Sequence, residues 1–156
     1  MSALQDLRAA IVAKLSGIAG IGVVHDRERY AHAMDKLKSL YVPAGEQQLR
    51  GWFVRRGAIN EVSAGGSRRV QTVAWRIQGV MALDDAASSE IAFDNLIETI
   101  TDTFRADSTL GGLVLTPKPE NEDAGVQVVD SGPVMFANVL CHAARLALTT
   151  RQLISD

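Results

Sequence analysis

The stretch from Arg69 to Leu83, RVQTVAWRIQGVMAL, decides the fold. Val73, Trp75, Ile77, Met81 and Leu83 alternate with Thr72, Ala74, Arg76 and Gln78, and the pattern stumbles only at Gly79 and Val80. Successive side chains of a strand point to opposite faces, so this period of two predicts a β-strand with one apolar face. At roughly 3.4 Å per residue the strand would reach about 50 Å, longer than a core of this size needs. Just upstream, residues 48–59 read as a partner strand, with Trp52 and Val54 on one face and Phe53 on the other. Asn60 to Ser67, containing Gly65-Gly66, is a turn region. The 48–83 hairpin is expected to project as an arm or to bend at Gly79.

Helices flank this hairpin. Leu4, Leu7, Ile11 and Leu15 recur at steps of three and four and predict a helix over 2–16, capped by Ser2 and stopped at Gly17. Ile21, Val23 and Val24 suggest a short strand ending at His25-Asp26. Asp26 is placed to cap a second helix, 27–41, with Tyr30, Met34, Leu37 and Tyr41 on one face. After the hairpin, Ser88 or Ser89 caps a helix over about 89–105, whose buried stripe is Phe93, Leu96, Ile97, Ile100 and Phe104. Leu110 to Asp123 reads as a loop, and Val126, Val128 and Val129 as a strand. Ser131-Gly132-Pro133 reads as a break before a final strand, 134–150, with Val139, Cys141 and Ala143 on one face; Leu140, Ala144 and Leu148 would also fit a helix. The sum is an α+β domain spanning 1–156: a mainly antiparallel sheet with a long projecting β-hairpin and helices packed on one face.

Composition narrows the function classes. The chain has 156 residues, 47% hydrophobic and 22% charged, with net charge -2. A strongly basic nucleic-acid binder would not look like this. One cysteine forms no internal disulfide, and three histidines with no HxxxH or CxxC give no metal-ligand spacing. Gly17, Gly20 and Gly22 follow a helix rather than open one, the wrong context for a dinucleotide loop. No GxSxG is present to anchor a hydrolase. Glu120, Glu122 and Asp123 match a calcium loop in charge only. No catalytic residue, metal or cofactor is therefore expected. Asp6 and Arg8 precede any apolar run, so neither a leader peptide nor a membrane segment is expected.

Charge is unevenly spread. Arg50 to Arg76 holds six arginines and one acid, whereas Asp84 to Asp130 holds eleven acids against Arg105 and Lys118. Three readings stay open at this point. The two segments are independently solvated faces, or they are self-complementary between copies, or Arg55, Arg56, Arg68 and Arg69 at the hairpin tip contact DNA phosphates. On the second reading the candidate subunit or tube interface is Arg55, Arg56, Arg68 and Arg69 with Glu120, Glu122 and Asp123. Arginine suits it, because its planar fork pairs bidentately with carboxylates.

The layout resembles the tail terminator, or tail-completion, proteins of long-tailed bacteriophages. The matching features are the opening helix Leu4–Leu15, Val24-His25-Asp26 followed by Arg29-Tyr30-Ala31, and then Arg50-Gly51-Trp52-Phe53. The hairpin, the Phe93–Phe104 helix and the final strand after Gly132-Pro133 continue in the same order. The resemblance implies a structural virion protein without catalytic residues. Its copies would form a ring, typically hexameric, at the head-proximal end of the tail, assembled in the host bacterial cytoplasm. Its partners would be the tail tube protein and the head–tail connector, with DNA passing through the lumen. A neck or head-completion connector is the near alternative; a small enzyme or a nucleic-acid-binding module lies further off.

Overall fold

The computed structural model describes residues 2–117 and 124–155. In chain order it has α1 (Ala3–Ser16), β1 (Val23–His25), α2 (Met34–Leu40), β2 (Arg50–Ser63), β3 (Arg68–Ala82), a 3-10 turn at Asp85–Ala87, α3 (Ser89–Ala106), β4 (Val126–Phe136) and β5 (Val139–Ser155). The strands form one sheet in the order β1-β2-β3-β5-β4. β1 runs parallel to β2 and every other pair is antiparallel. The class is α+β, and the element order is the one the sequence pattern predicts.

The alternation in β2 decides which layer covers which face. Trp52 and Val54 join the main core with Leu7, Ile11 and Leu15 of α1, Trp75 and Ile77 of β3, the apolar stripe of α3, and Leu146 of β5. Phe53, between them, points the other way and packs with Tyr41, Leu49 and Cys141. Thus α1 and α3 cover one face, while α2 and the Tyr41–Leu49 segment lie against part of the other. The α3 stripe is the expected one: Phe93, Leu96, Ile97, Ile100 and Phe104 are all buried. Burying each such side chain is worth about 1.5–3 kcal/mol, which outweighs the modest propensity of this β-branched helix.

Several boundaries differ from the sequence reading, each for an identifiable reason. The 27–41 helix shrinks to Met34–Leu40, and Asp26 caps nothing. Its backbone carbonyl instead accepts from Arg8 at 2.7 Å, and the Arg29 amide donates to the Tyr41 hydroxyl at 3.2 Å. These long-range bonds hold residues 26–33 out of a helix, with bends at 26–27 and 32–33, and leave Tyr30 73% exposed. Ser88 stands at the start of α3 but in a left-handed conformation without a capping bond, and Ser89 is turned inward. β2 runs on to Ser63, so the turn is only 64–67.

The Ser131-Gly132-Pro133 break does not occur: β4 passes through it, and the final strand begins at Val139 rather than 134. The real turn is Ala137-Asn138, both at positive φ, which is the primed geometry that joins two right-twisted strands. β4 is the border strand. Counting alternate residues from the closing pair Phe136–Val139, the nitrogen of Pro133 faces away from β5, where a missing N–H costs no ladder bond.

β3 does not bend at Gly79; it stays paired with β5 from Arg68 to Ala82. The glycine is there because the indole of Trp52 lies where a Cβ would be, 2.1 Å away. The irregularity falls instead in β2, where a bulge between Arg56 and Ile59 sets Gly57 and Ala58 against Ala74. Beyond it residues 58–63 of β2 are exposed on both faces. The arm is three strands wide, because β5 continues beside β3 to Ser155.

Candidate functional surfaces

The structure divides the four candidate arginines into two pairs. Arg68 and Arg69 sit at the arm tip, where Arg68 donates to the Ala64 carbonyl at 3.5 Å and Arg69 pairs with Glu61 at 3.1 Å. Arg55 and Arg56 lie at the arm's root, beside the bulge rather than at the tip. Seven residues of extended strand, about 24 Å, separate the two pairs. Glu120, Glu122 and Asp123 lie outside the described residues.

At the root, α1 and the segment after β1 bring further basic groups to Arg55 and Arg56. Arg8, Arg27, Glu28, Tyr30, Val54, Arg55 and Arg56 line a hollow of about 280 Å³ at the border of β2, just past the end of β1. Arg55 pairs with Glu28 at 3.0 Å and Arg27 with Asp26 at 2.6 Å. Arg8 reaches over the Trp75 ring, 5.5 Å from its centroid. On the opposite face of β2, Arg55 stands directly across from Arg76 in the ladder, and like charges so placed repel. Sequence reading missed Arg8 and Arg27 because their convergence is tertiary.

A second concavity of about 600 Å³ lies on the sheet face that α2 only partly covers. Gly51, Gly79, Gly132 and Ala143 give it a low floor, and Tyr41, Phe53 and Phe136 wall it. Tyr41 is edge-on to both Phe53 and Phe136, at 6.4 and 5.1 Å between centroids. Burial pushes its phenol up from the ordinary value, against a lowering by the Arg29 amide. At the rim the Arg145 guanidinium grips Asp130 bidentately and holds that carboxyl below the usual range. The lining comes from β2, β3, β4, β5, Tyr41 at the end of α2 and Glu28, and its floor is made of small residues that carry no sequence signal.

His25, His142, Ser89 and Cys141 are all engaged in packing. His25 Nε2 donates to the Leu40 carbonyl at 2.6 Å, and its ring meets Tyr41 edge-on at 5.1 Å, which ties β1 to the end of α2. Ser89 Oγ lies 2.8 Å from His142 Nε2, the spacing of a nucleophile and its base. Ser89 is buried, also accepts the Asp84 amide at 2.8 Å, and lines neither concavity. The His142 ring stacks on Phe93. The pair therefore fastens the start of α3 to β5. Cys141 is fully buried, and desolvation pushes its thiol up to about 11.

No three metal-ligating side chains converge among the described residues, and no described helix is long and apolar enough to cross a membrane. What the geometry defines is an α+β domain with a basic border, an apolar concavity and an exposed arm. No protein-family model matches the chain, and no curated protein matches it significantly.

Proposed function

We propose that this chain is a structural assembly subunit: a ring-forming tail terminator that caps a phage tail tube and joins it to the head connector. One observation carries the reading. The three-stranded arm leaves Val62 and Leu153, which flank Val70 in the ladder two residues from Arg68, exposed on one face and Ile59 exposed on the other, apolar surface that a partner would cover. The basic sheet border and the acid-rich 84–130 segment supply the charge complementarity that fixes register between copies. A head-to-tail contact of this kind generates a ring when its rotation closes.

Light scattering and negative-stain imaging test the proposal directly. A closed ring, of hexameric order, is expected at high protein concentration or on adding tail tube protein. Reversing both Arg68 and Arg69 to Glu should reduce assembly while the helical spectrum stays intact. A wild-type protein that remains monomeric in both conditions refutes the reading.

A further inference from the structure

The basic hollow at the β2 border has a counterpart elsewhere on the same chain. Two of its guanidinium groups meet no carboxylate among the described residues. Arg8 donates to the Asp26 backbone carbonyl at 2.7 Å, and Arg56 to the Gly57 carbonyl at 2.8 Å. Both belong to side chains whose forked geometry fits a carboxylate far better than a single carbonyl. The bulge sets this arrangement: Arg56 stands opposite Trp75 in the ladder, on the face from which Arg8 of α1 leans over the same indole. Two forks thus share one hollow, and the ion pairs of Arg27 and Arg55 fix its walls.

On α3, Glu90, Asp94, Glu98 and Asp102 follow one another at four-residue steps, and all are exposed. At about 1.5 Å rise per residue they make an acidic stripe about 18 Å long. Like charges at this spacing weaken a helix. Asp102 alone has a basic neighbour, Arg105 at 2.7 Å; Glu90, Asp94 and Glu98 meet none among the described residues. The hollow lies at the β1–β2 border, whereas the end of α3 lies against Gly125 at the start of β4, the opposite border. Within one copy the Asp102 end of the stripe therefore lies toward the border away from the hollow.

We propose that the Arg8–Arg56 hollow receives the acidic stripe of α3 from a second copy of this chain. The contact is heterologous, basic border to acidic helix, and each copy keeps one unused surface of each kind until the assembly closes. This inference rests on the reading of the chain as an assembly subunit and names the surfaces that would do the joining.

Charge reversal with mixing tests it, read by sedimentation velocity of the full chain. Arg8→Glu with Arg56→Glu, and separately Asp94→Lys with Glu98→Lys, should each weaken self-association by about tenfold or more, with unchanged far-UV spectra. Mixing the two variants should restore association, because each then offers the other a complementary surface. Should either double variant fail to fold, the single neutral changes Arg56→Gln and Glu98→Gln replace them, with a smaller loss expected. Wild type that assembles while the variants assemble equally well overturns this interface and leaves the assembly reading standing. Variants that separately lose association but do not regain it on mixing also overturn it. Wild type that never associates overturns both. If a short DNA duplex binds wild type, and Arg56→Gln abolishes that binding without touching assembly, the hollow is a phosphate site and the proposal fails.

Discussion

Gly79→Ala sets two effects of opposite sign against each other. In a strand at ordinary φ, replacing glycine with alanine narrows the unfolded ensemble and should stabilise by about 0.4–1 kcal/mol. Here the added Cβ would stand 2.1, 2.3 and 2.4 Å from Cδ2, Cε2 and Cε3 of Trp52. Ordinary contact begins more than an ångström further out. The indole has no room to retreat: Trp52 is fully buried and stacked against Phe93, 6.0 Å between centroids and 17° apart. Overpacking of a tight core costs about 1–3 kcal/mol, occasionally more, and this site belongs at the upper end. We expect a net loss of about 3 kcal/mol. With a urea slope of about 1–3 kcal/mol per molar, the midpoint should fall by about 1 M or more. Circular dichroism melts measure it. The same change in a Trp52→Leu background should cost far less, and that background sacrifices no indole hydrogen bond, since Trp52 Nε1 has no partner among the described residues. A loss below about 1 kcal/mol in the wild-type background, or an equal loss in both, would refute the steric account.

Other outcomes follow from the same packing. Phe104→Ala, at a residue 2% exposed in the main core, should cost about 3–5 kcal/mol in denaturant melts. Cys141, with its thiol raised to about 11, should resist a thiol-specific reagent at pH 8 in the native protein and react at once in denaturant. Asp107 accepts from the Gly111 amide at 3.1 Å and pairs with Lys14 at 3.0 Å, and these contacts hold its carboxyl below the ordinary value. Its contribution is therefore present above the unfolded carboxylate value and is lost as pH falls through the lowered folded one. The melting temperature of Asp107→Asn should lie below wild type at pH 7, and the gap should close in acid.

The parts of the fold legible in the sequence are those with strong local periodicity. The α3 stripe and the alternation through Trp75 could each be read without neighbours, because burial repeats at the spacing of the backbone. What misled were residues whose usual meaning depends on position. Pro133 reads as a strand breaker, yet it lies on a border strand whose outward nitrogen needs no partner. Gly79 reads as a bend, yet it makes room for an indole contributed by a different strand. Asp26 reads as a helix cap, but its carbonyl is engaged by an arginine eighteen residues earlier. The arginine-rich hairpin was visible as composition. Its division into a tip and a root, and the recruitment of Arg8 and Arg27 to the root, depended on where a two-residue bulge fell.

β5 is an interior strand of the sheet, with β3 along one side and the border strand β4 along the other. It is also the last of these strands in chain order, so its long pairing with β3 joins residues far apart in the sequence, Arg68 with Ser155. On a ribosome, everything up to α3 emerges before the strand that closes the sheet exists. Until residues 139–155 arrive, β3 presents a fifteen-residue ladder of unmet amides and carbonyls. Folding should accordingly be slow and all-or-none. A chain interrupted before β5 should be sticky and aggregate through that open edge.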